Sequence, residues 1–209
     1  MLTGYLLIFQ NPKVKRGKSR MMRIITGKAK GKKLSTLEGN DTRPTSERIK
    51  GAIFSSIQFD VEERRVLDLF AGSGQMGLEA LSRGAAKATF IDSSREAMEI
   101  VKKNARDTGF FDLSHFLVSD WRNYIRKASG RERFDLVFID PPYAMQCCKE
   151  ATLLLEKNDL LLPGAILCLE SGEEIIDTAS PELSSFEVIK STSYGKKSSV
   201  TILLYRKED

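Results

Sequence analysis

Apolar residues fall along this chain in short runs, each closed by an acid, a glycine or a proline. Five such runs are expected to be buried parallel strands, near residues 65–70, 87–92, 115–119, 134–139 and 165–169. Longer stretches with helical spacing separate them, which is the alternation of a sheet covered by helices on both faces. Two last strands, near 186–192 and 199–206, have no helix between them and should pair antiparallel, making seven in all. Upstream, Pro44 suits the first turn of a helix, and Ile49, Ile53, Phe54 and Ile57 then recur on one face. Residues 23–37 alternate in short runs around Gly27, Gly31 and Lys32-Lys33, the pattern of a small basic hairpin. The fold class expected is α/β, a doubly wound, seven-stranded, mostly parallel sheet of Rossmann-like form with a β-hairpin extension. Its boundaries divide the chain into a leader (1–21), the hairpin extension (22–43) and the main domain (44–209).

Composition narrows the class. At 209 residues and 41% hydrophobic, the chain can bury one good core. No apolar run approaches the ~20 residues of a membrane span, and Leu6-Leu7-Ile8-Phe9 is too short for a signal peptide. Cys147, Cys148 and Cys168 lack metal-ligand spacing and read as reduced thiols of a cytoplasmic protein. The single histidine, His115, reads as a strand-edge residue, and no metal is expected. The net charge of +5 is unevenly spread. Residues 1–50 hold 13 Lys or Arg against Glu38, Asp41 and Glu47, a balance of +10; the other 159 residues hold 20 against 25, a balance of −5. Gathered cations of this kind mark a surface for phosphates, here Lys28, Lys30, Lys32 and Lys33 above all. Residues 11–20 taken alone also fit a solvated tail.

Two motifs carry chemistry. Asp140-Pro141-Pro142-Tyr143 ends the run Phe134 to Ile139, and its prolines forbid the strand from continuing. It delivers a carboxylate, a rigid turn and an aromatic ring to the carboxyl end of a strand, where open α/β sheets bind ligands. That set suits a planar substrate with an exocyclic amine: Asp140 and the Pro141 carbonyl accept its N–H bonds while Tyr143 stacks on the ring. The second motif follows the strand at 65–70. Gly72, Gly74 and Gly77 match G-x-G-x-x-G, and Asp92 ends the next strand 20 residues after Gly72. This geometry serves any adenosine-bearing cofactor, with Ala71, Gly72 and Gly74 under the ligand and Asp92 on the ribose hydroxyls. A dehydrogenase has no use for Asp140 to Tyr143, whereas a methyl donor must meet a nucleophilic nitrogen there.

With Arg23-Ile24-Ile25-Thr26-Gly27, Arg43-Pro44-Thr45-Ser46-Glu47-Arg48, the Asp68 to Gly77 loop, Asp140 to Tyr143, Glu170-Ser171 and Tyr194-Gly195-Lys196-Lys197, the chain resembles class I S-adenosylmethionine-dependent methyltransferases. It is most similar to the RsmD type, which methylates the exocyclic N2 of a guanine in 16S ribosomal RNA, and the resemblance runs from about Met22 to Arg206. It implies the strand order 3-2-1-4-5-7-6, S-adenosyl-L-methionine as cofactor, 16S rRNA or the assembling small subunit as partner, and a monomer. By the same resemblance Asp68 anchors the loop and the cofactor's methionine end. Asp92 with Ser93 takes the ribose, and Asp120 with the Trp121 backbone takes the adenine. Arg43, Thr45 and Arg48 lie beside the methionine end and the substrate, and a mobile hairpin helps to grip rRNA; Lys196 and Lys197, between the last two strands, either touch RNA or form an ordinary exposed hairpin turn. Capping is a competing role for Asp92, Asp120 and Thr45, and a place in the core is a competing role for Trp121. Residues 1–21 match nothing in the family, so they are either a basic arm or a start assigned too far upstream; the second is preferred.

Three other functions compete. Asp-Pro-Pro-Tyr also serves methyltransferases of DNA adenine N6 or cytosine N4, though 209 residues leave little room for a target-recognition domain. A non-catalytic RNA-binding module is opposed by the intact Gly72, Gly74, Asp92, Asp120 and Asp140. A nicotinamide enzyme leaves Asp140 to Tyr143 without a role.

Overall fold

The computed structural model describes residues 22–36, 44–195 and 198–206. The leader 1–21, Arg43, Lys196 and Lys197 lie outside the described residues. Seven strands form one sheet: β1 (Arg65–Asp68), β2 (Lys87–Asp92), β3 (Ser114–Val118), β4 (Phe134–Ile139), β5 (Leu161–Ser171), β6 (Phe186–Ser193) and β7 (Ser199–Tyr205). Their order is β3-β2-β1-β4-β5-β7-β6, as the resemblance implies. β1 to β5 run parallel, and β7 enters antiparallel between β5 and β6. His115 sits exposed on β3, an edge strand of the sheet.

The apolar runs become strands because both sheet faces are covered. One face is buried by α1 (Pro44–Ser56), α2 (Gln75–Ser82) and α3 (Arg95–Thr108), around Phe54, Phe90, Phe138 and Ile202. The other is buried by α4 (Trp121–Ala128) and α5 (Cys148–Lys157), around Leu67, Ile91, Val137 and Leu169. Polar residues start two of the helices at the expected places. Ser94 accepts from the Ala97 amide at 3.1 Å to open α3, and Asp120 accepts from the Asn123 amide at 3.1 Å to open α4. β1 stops at Asp68, short of the expected residue 70, because the chain turns over the neighbouring strands there: the Leu69 amide donates to Phe138 O and the Ala71 amide to Ile91 O. β5 is longer than expected, since it passes through Pro163-Gly164 where its register against β4 slips.

The basic segment is a minimal hairpin, with a single antiparallel bridge, Arg23 to Lys33. Met22, Ile24, Ala29 and Leu34 are buried in the same apolar cluster as α1 and α2. Side chains of α2 hold its backbone. Glu79 accepts from the Ile25 amide at 2.7 Å and the Thr26 amide at 3.0 Å. Ser82 donates to Thr26 O at 2.6 Å and accepts from the Ala29 amide at 3.0 Å. Lys50 of α1 donates to Arg23 O at 2.7 Å and lies 3.7 Å from Glu79. On α3, Asn104 accepts from the Ser35 amide at 2.8 Å. Lys28, Lys30, Lys32 and Lys33 stand exposed on this fixed support.

Candidate active site

The sheet reverses direction of construction between β1 and β4: β2 and β3 lie on one side of β1, β4 and β5 on the other. At such a point loops leave in opposite directions and open a crevice at the carboxyl ends of the strands. Four of those ends carry an acid: Asp68 on β1, Asp92 on β2, Asp140 just past β4 and Glu170 on β5.

Asp68 is 2% exposed and accepts from the Gly77 amide at 3.0 Å, which ties the end of β1 to the first turn of α2. Burial pushes its carboxyl up to about 7, against the pull of that amide and with a smaller push from Asp92. Gly77 is needed for packing, because a Cβ there would stand 2.4 Å from the Phe90 ring. Gly72 is different: φ is +54°, and a Cβ would meet no protein atom within 4 Å. The loop thus presents bare backbone to open space. Asp92 braces it, taking the Gly72 amide at 2.9 Å on one oxygen and the Ser94 amide at 2.8 Å on the other. Ser94, and not Asp92, caps α3. A carboxylate has about four acceptor sites, so a vicinal diol remains within the capacity of Asp92. Ser93 is exposed beside it, and the Ser119 amide donates to Asp92 O at 2.9 Å, bringing the Asp120 turn alongside. Ala71 is buried under the loop, and the Gly74 amide closes it by donating to Ala71 O at 2.6 Å.

Asp120 does cap a helix, yet it is exposed and keeps acceptor capacity. Trp121 is 3% exposed and belongs to the core under α4, with Phe70 at 5.9 Å and the Arg122 guanidinium 4.2 Å from its ring centroid. Its indole N–H is buried with no acceptor among the described residues.

Asp140 follows β4 and is only partly exposed. Burial holds its carboxyl well above the ordinary range, with the charge of Glu170 and then that of Asp68 adding to the effect. Pro141 is buried, Pro142 exposed, and a 3-10 turn at Tyr143–Met145 carries the chain away, the Met145 amide donating to Pro142 O at 2.8 Å. The Tyr143 and Thr45 side chains lie outside the described residues, although both backbones are placed. Arg48 is exposed, 6.0 Å from the ring centroid of Tyr194, which puts α1 against the β6–β7 turn.

Sequence reasoning gave no role to Glu170, Ser198 or Tyr194. The Ser198 hydroxyl donates to Glu170 Oε1 at 3.3 Å. The signal for Glu170 was present: like Asp68, Asp92 and Asp140 it is an acid at the end of an apolar run. Among the described residues no group of three or more His, Cys, Asp or Glu is placed to hold a metal, and no helix is long and apolar enough to cross a membrane. Chemically the crevice joins an open glycine cradle, with acceptors along one wall, to an electronegative end built around Asp140. Such an end favours hydrogen-bond donors and developing positive charge.

Comparison with known proteins agrees with this geometry. The family model described as "Conserved hypothetical protein 95" matches residues 22–203. The chain is 35% identical over 155 residues to a putative rRNA methyltransferase, YlbH, of Bacillus subtilis, covering 74% of this chain and 84% of the relative. It is 34% identical over 156 residues to the ribosomal RNA small subunit methyltransferase D of Escherichia coli K12, covering 75% and 77%. Among solved structures, the putative methyltransferase yhhF from Escherichia coli superposes with a TM-score of 0.78 at 28% identity, over 90% of this chain and 99% of that one.

Proposed function

This chain belongs to the Conserved hypothetical protein 95 family, and from that premise we propose that it transfers a methyl group from S-adenosyl-L-methionine to the exocyclic N2 amine of a guanine in 16S ribosomal RNA. The observation that carries the reading is the position of Asp140, beside the strand-order reversal and next to the Asp68 to Gly77 cradle. The residues present fit the cofactor: Gly72 leaves room over its backbone, Asp92 retains acceptor capacity for the ribose, and Asp120 is free of burial for the adenine amine. Bound there, the cofactor supplies an electrophilic methyl carbon on a sulfonium.

A guanine amine is a weak nucleophile because its lone pair is delocalised into the ring. Asp140 and the Pro141 carbonyl accept its two N–H bonds, which turns the lone pair toward the methyl carbon. With the cofactor bound, the amine nitrogen would become positive as it takes the methyl group, and the Asp140 carboxylate beside it would stabilise that charge. Asp140 stabilises that charge only when ionised, so its raised carboxyl makes the rate climb with pH. The methylated amine would then pass its extra proton to Asp140, which already accepts its hydrogen bond, and from there to water. Tyr143 serves as the plate for a base taken out of its helix. Lys28, Lys30, Lys32, Lys33, Arg43, Arg48 and Lys196 hold phosphates, and the enzyme works in the cytoplasm on rRNA or the assembling subunit.

Mapping 2-methylguanosine in 16S rRNA from cells with and without the gene tests the reading, with calorimetry against S-adenosylmethionine and NAD alongside. A modification that vanishes with the gene, and binding of S-adenosylmethionine alone, are expected. Unchanged rRNA with methyl transfer to DNA adenine or cytosine, or binding of NAD alone, would overturn it.

A further inference from the structure

We propose that Glu170 is the residue that selects guanine, by accepting the ring N1–H while Asp140 accepts from the neighbouring exocyclic amine. The inference rests on the guanine reading above and deepens it. Asp140 and the Pro141 carbonyl cannot make the choice themselves, because an Asp-Pro-Pro-Tyr turn serves amines of adenine, cytosine and guanine alike. Some other group must read the atom next to the amine.

The strand register supplies one. β4 and β5 pair in parallel with Phe138 opposite Cys168 and Ile139 opposite Leu169, so the next step sets Asp140 beside Glu170. Parallel neighbours lie about 4.8 Å apart, and side chains two residues apart share a face. Asp68 is opposite Phe138, so Asp68, Asp140 and Glu170 all belong to the α1–α3 face of the sheet. The chain holds Glu170 in place from two further elements. Ser198, before β7, donates to its Oε1 at 3.3 Å, and the Cys148 thiol of α5 donates to its backbone oxygen at 3.6 Å. Glu170 also exerts the largest charge effect on Asp140, ahead of Asp68, so the two carboxyls are close in space.

Two carboxylates side by side match one nucleobase edge. Guanine presents two adjacent donors, the N2 amine and N1–H. Adenine and cytosine present an amine beside a ring nitrogen lone pair, which would face Glu170 acceptor to acceptor. A site built to bond a donor rejects the analogue lacking it far more strongly than an apolar pocket rejects a shape change. One acceptor thus fixes the reaction and the second fixes the base.

The test uses small subunits or rRNA carrying 2-aminopurine in place of the mapped target guanine. This base keeps the exocyclic amine but has a lone pair at N1. Wild-type protein should prefer guanine by about 100-fold or more in kcat/KM. Glu170→Gln should lose about tenfold or more on guanine and narrow the preference at least as much, since its carboxamide can donate to N1. 2-Aminopurine also lacks the O6 oxygen, but that difference is the same for both proteins, so the narrowing isolates N1. Unchanged affinity for S-adenosylhomocysteine shows that the variant's site is intact. Wild-type protein that methylates both bases equally, or a Glu170→Gln protein with the preference intact, would overturn the assignment of Glu170 while leaving guanine as substrate. Failure of wild-type protein to methylate guanine at all would instead overturn the underlying function. Should Glu170→Gln not fold, Glu170→Ala is compared with wild type in the same way: removing the acceptor should narrow the preference, and a preference left intact would overturn the assignment.

Discussion

Replacing Glu79 with alanine should destabilise the whole protein by roughly 3–5 kcal/mol, the range for breaking a buried ion pair. The side chain is fully buried and accepts from the Ile25 and Thr26 amides and from Arg83 Nε at 2.9 Å. Lys50, 1% exposed, lies 3.7 Å away. Glu79→Ala strips two amides of their acceptor, at about 1–3 kcal/mol each if they stay dry, and leaves the Lys50 ammonium without its nearest carboxylate. These losses overlap, so their sum is an upper bound. Urea unfolding followed by the single tryptophan, Trp121, reads the global effect, because Trp121 sits in the core on the opposite face of the sheet. Hydrogen exchange at the Ile24, Gly31 and Leu34 amides, bonded to Lys32 O, Ile24 O and Met22 O, reads local release of the hairpin. Replacing both partners, as in Glu79→Gln with Lys50→Met, should recover most of the loss. In Glu79→Gln alone, Lys50 loses the main influence opposing its burial and its pKa falls further below 10.5. The unfolded chain then binds more protons than the native one above that lowered value, so stability should rise with pH up to 10.5. A Glu79→Ala protein within about 1 kcal/mol of wild type would refute the reasoning, since that is the size of an ordinary surface change.

Three further outcomes are expected. Asp140→Ala should lower methyl transfer on the order of 100-fold or more with cofactor affinity by calorimetry within a few fold; near-normal turnover would mean the carboxylate has another task. Neutralising Lys28, Lys30, Lys32 and Lys33 together should weaken RNA binding and flatten its salt dependence without changing the methylated base, because phosphate contacts carry no sequence information; equal slopes would move the RNA surface elsewhere. Asp68 has a native carboxyl near 7 against 3.8 when exposed, so the native state binds the extra proton between those values and stability falls as pH rises through them. For the cofactor-free protein the fall between about pH 5 and pH 8 should be up to about 3 kcal/mol, and it should be absent from the urea midpoints of Asp68→Asn.

The sheet was legible because parallel strands buried on both faces must be written as apolar runs, and because each crossover needs a helix's length of chain. Pro163-Gly164 hid the early part of β5, since proline reads as a strand breaker unless a register slip accommodates it. The open glycine loop and the strand-end acids were legible because small residues at a strand-to-helix turn leave the backbone bare and an acid closing an apolar run must find a partner or solvent. Trp121 was ambiguous for a physical reason: its spacing fits both a ring over the crevice and a ring in the core, and only the packing against Phe70 places it. Glu79 and Lys50 were invisible. Charged residues on helices are normally solvated, and nothing in a helical period shows that a segment 27 residues from Lys50 and 53 from Glu79 will fold over them.

The way the hairpin is anchored separates what may vary from what may not. Glu79 and Ser82 grasp it by main-chain atoms, the amides of Ile25, Thr26 and Ala29 and the Thr26 carbonyl, which any residue but proline would supply. The instructions for attachment therefore reside in α2, while the side chains at 28, 30, 32 and 33 owe the fold nothing. Gly27 is the exception: a Cβ there would fall 1.8 Å from Ser82 O. Over evolutionary time the lysines can drift, reverse in charge or be tuned to a different RNA surface without the scaffold registering the change. The hairpin is in this sense an interchangeable head on a separate mount, and related chains should differ most in the head while keeping the glycine and the two side chains beneath it.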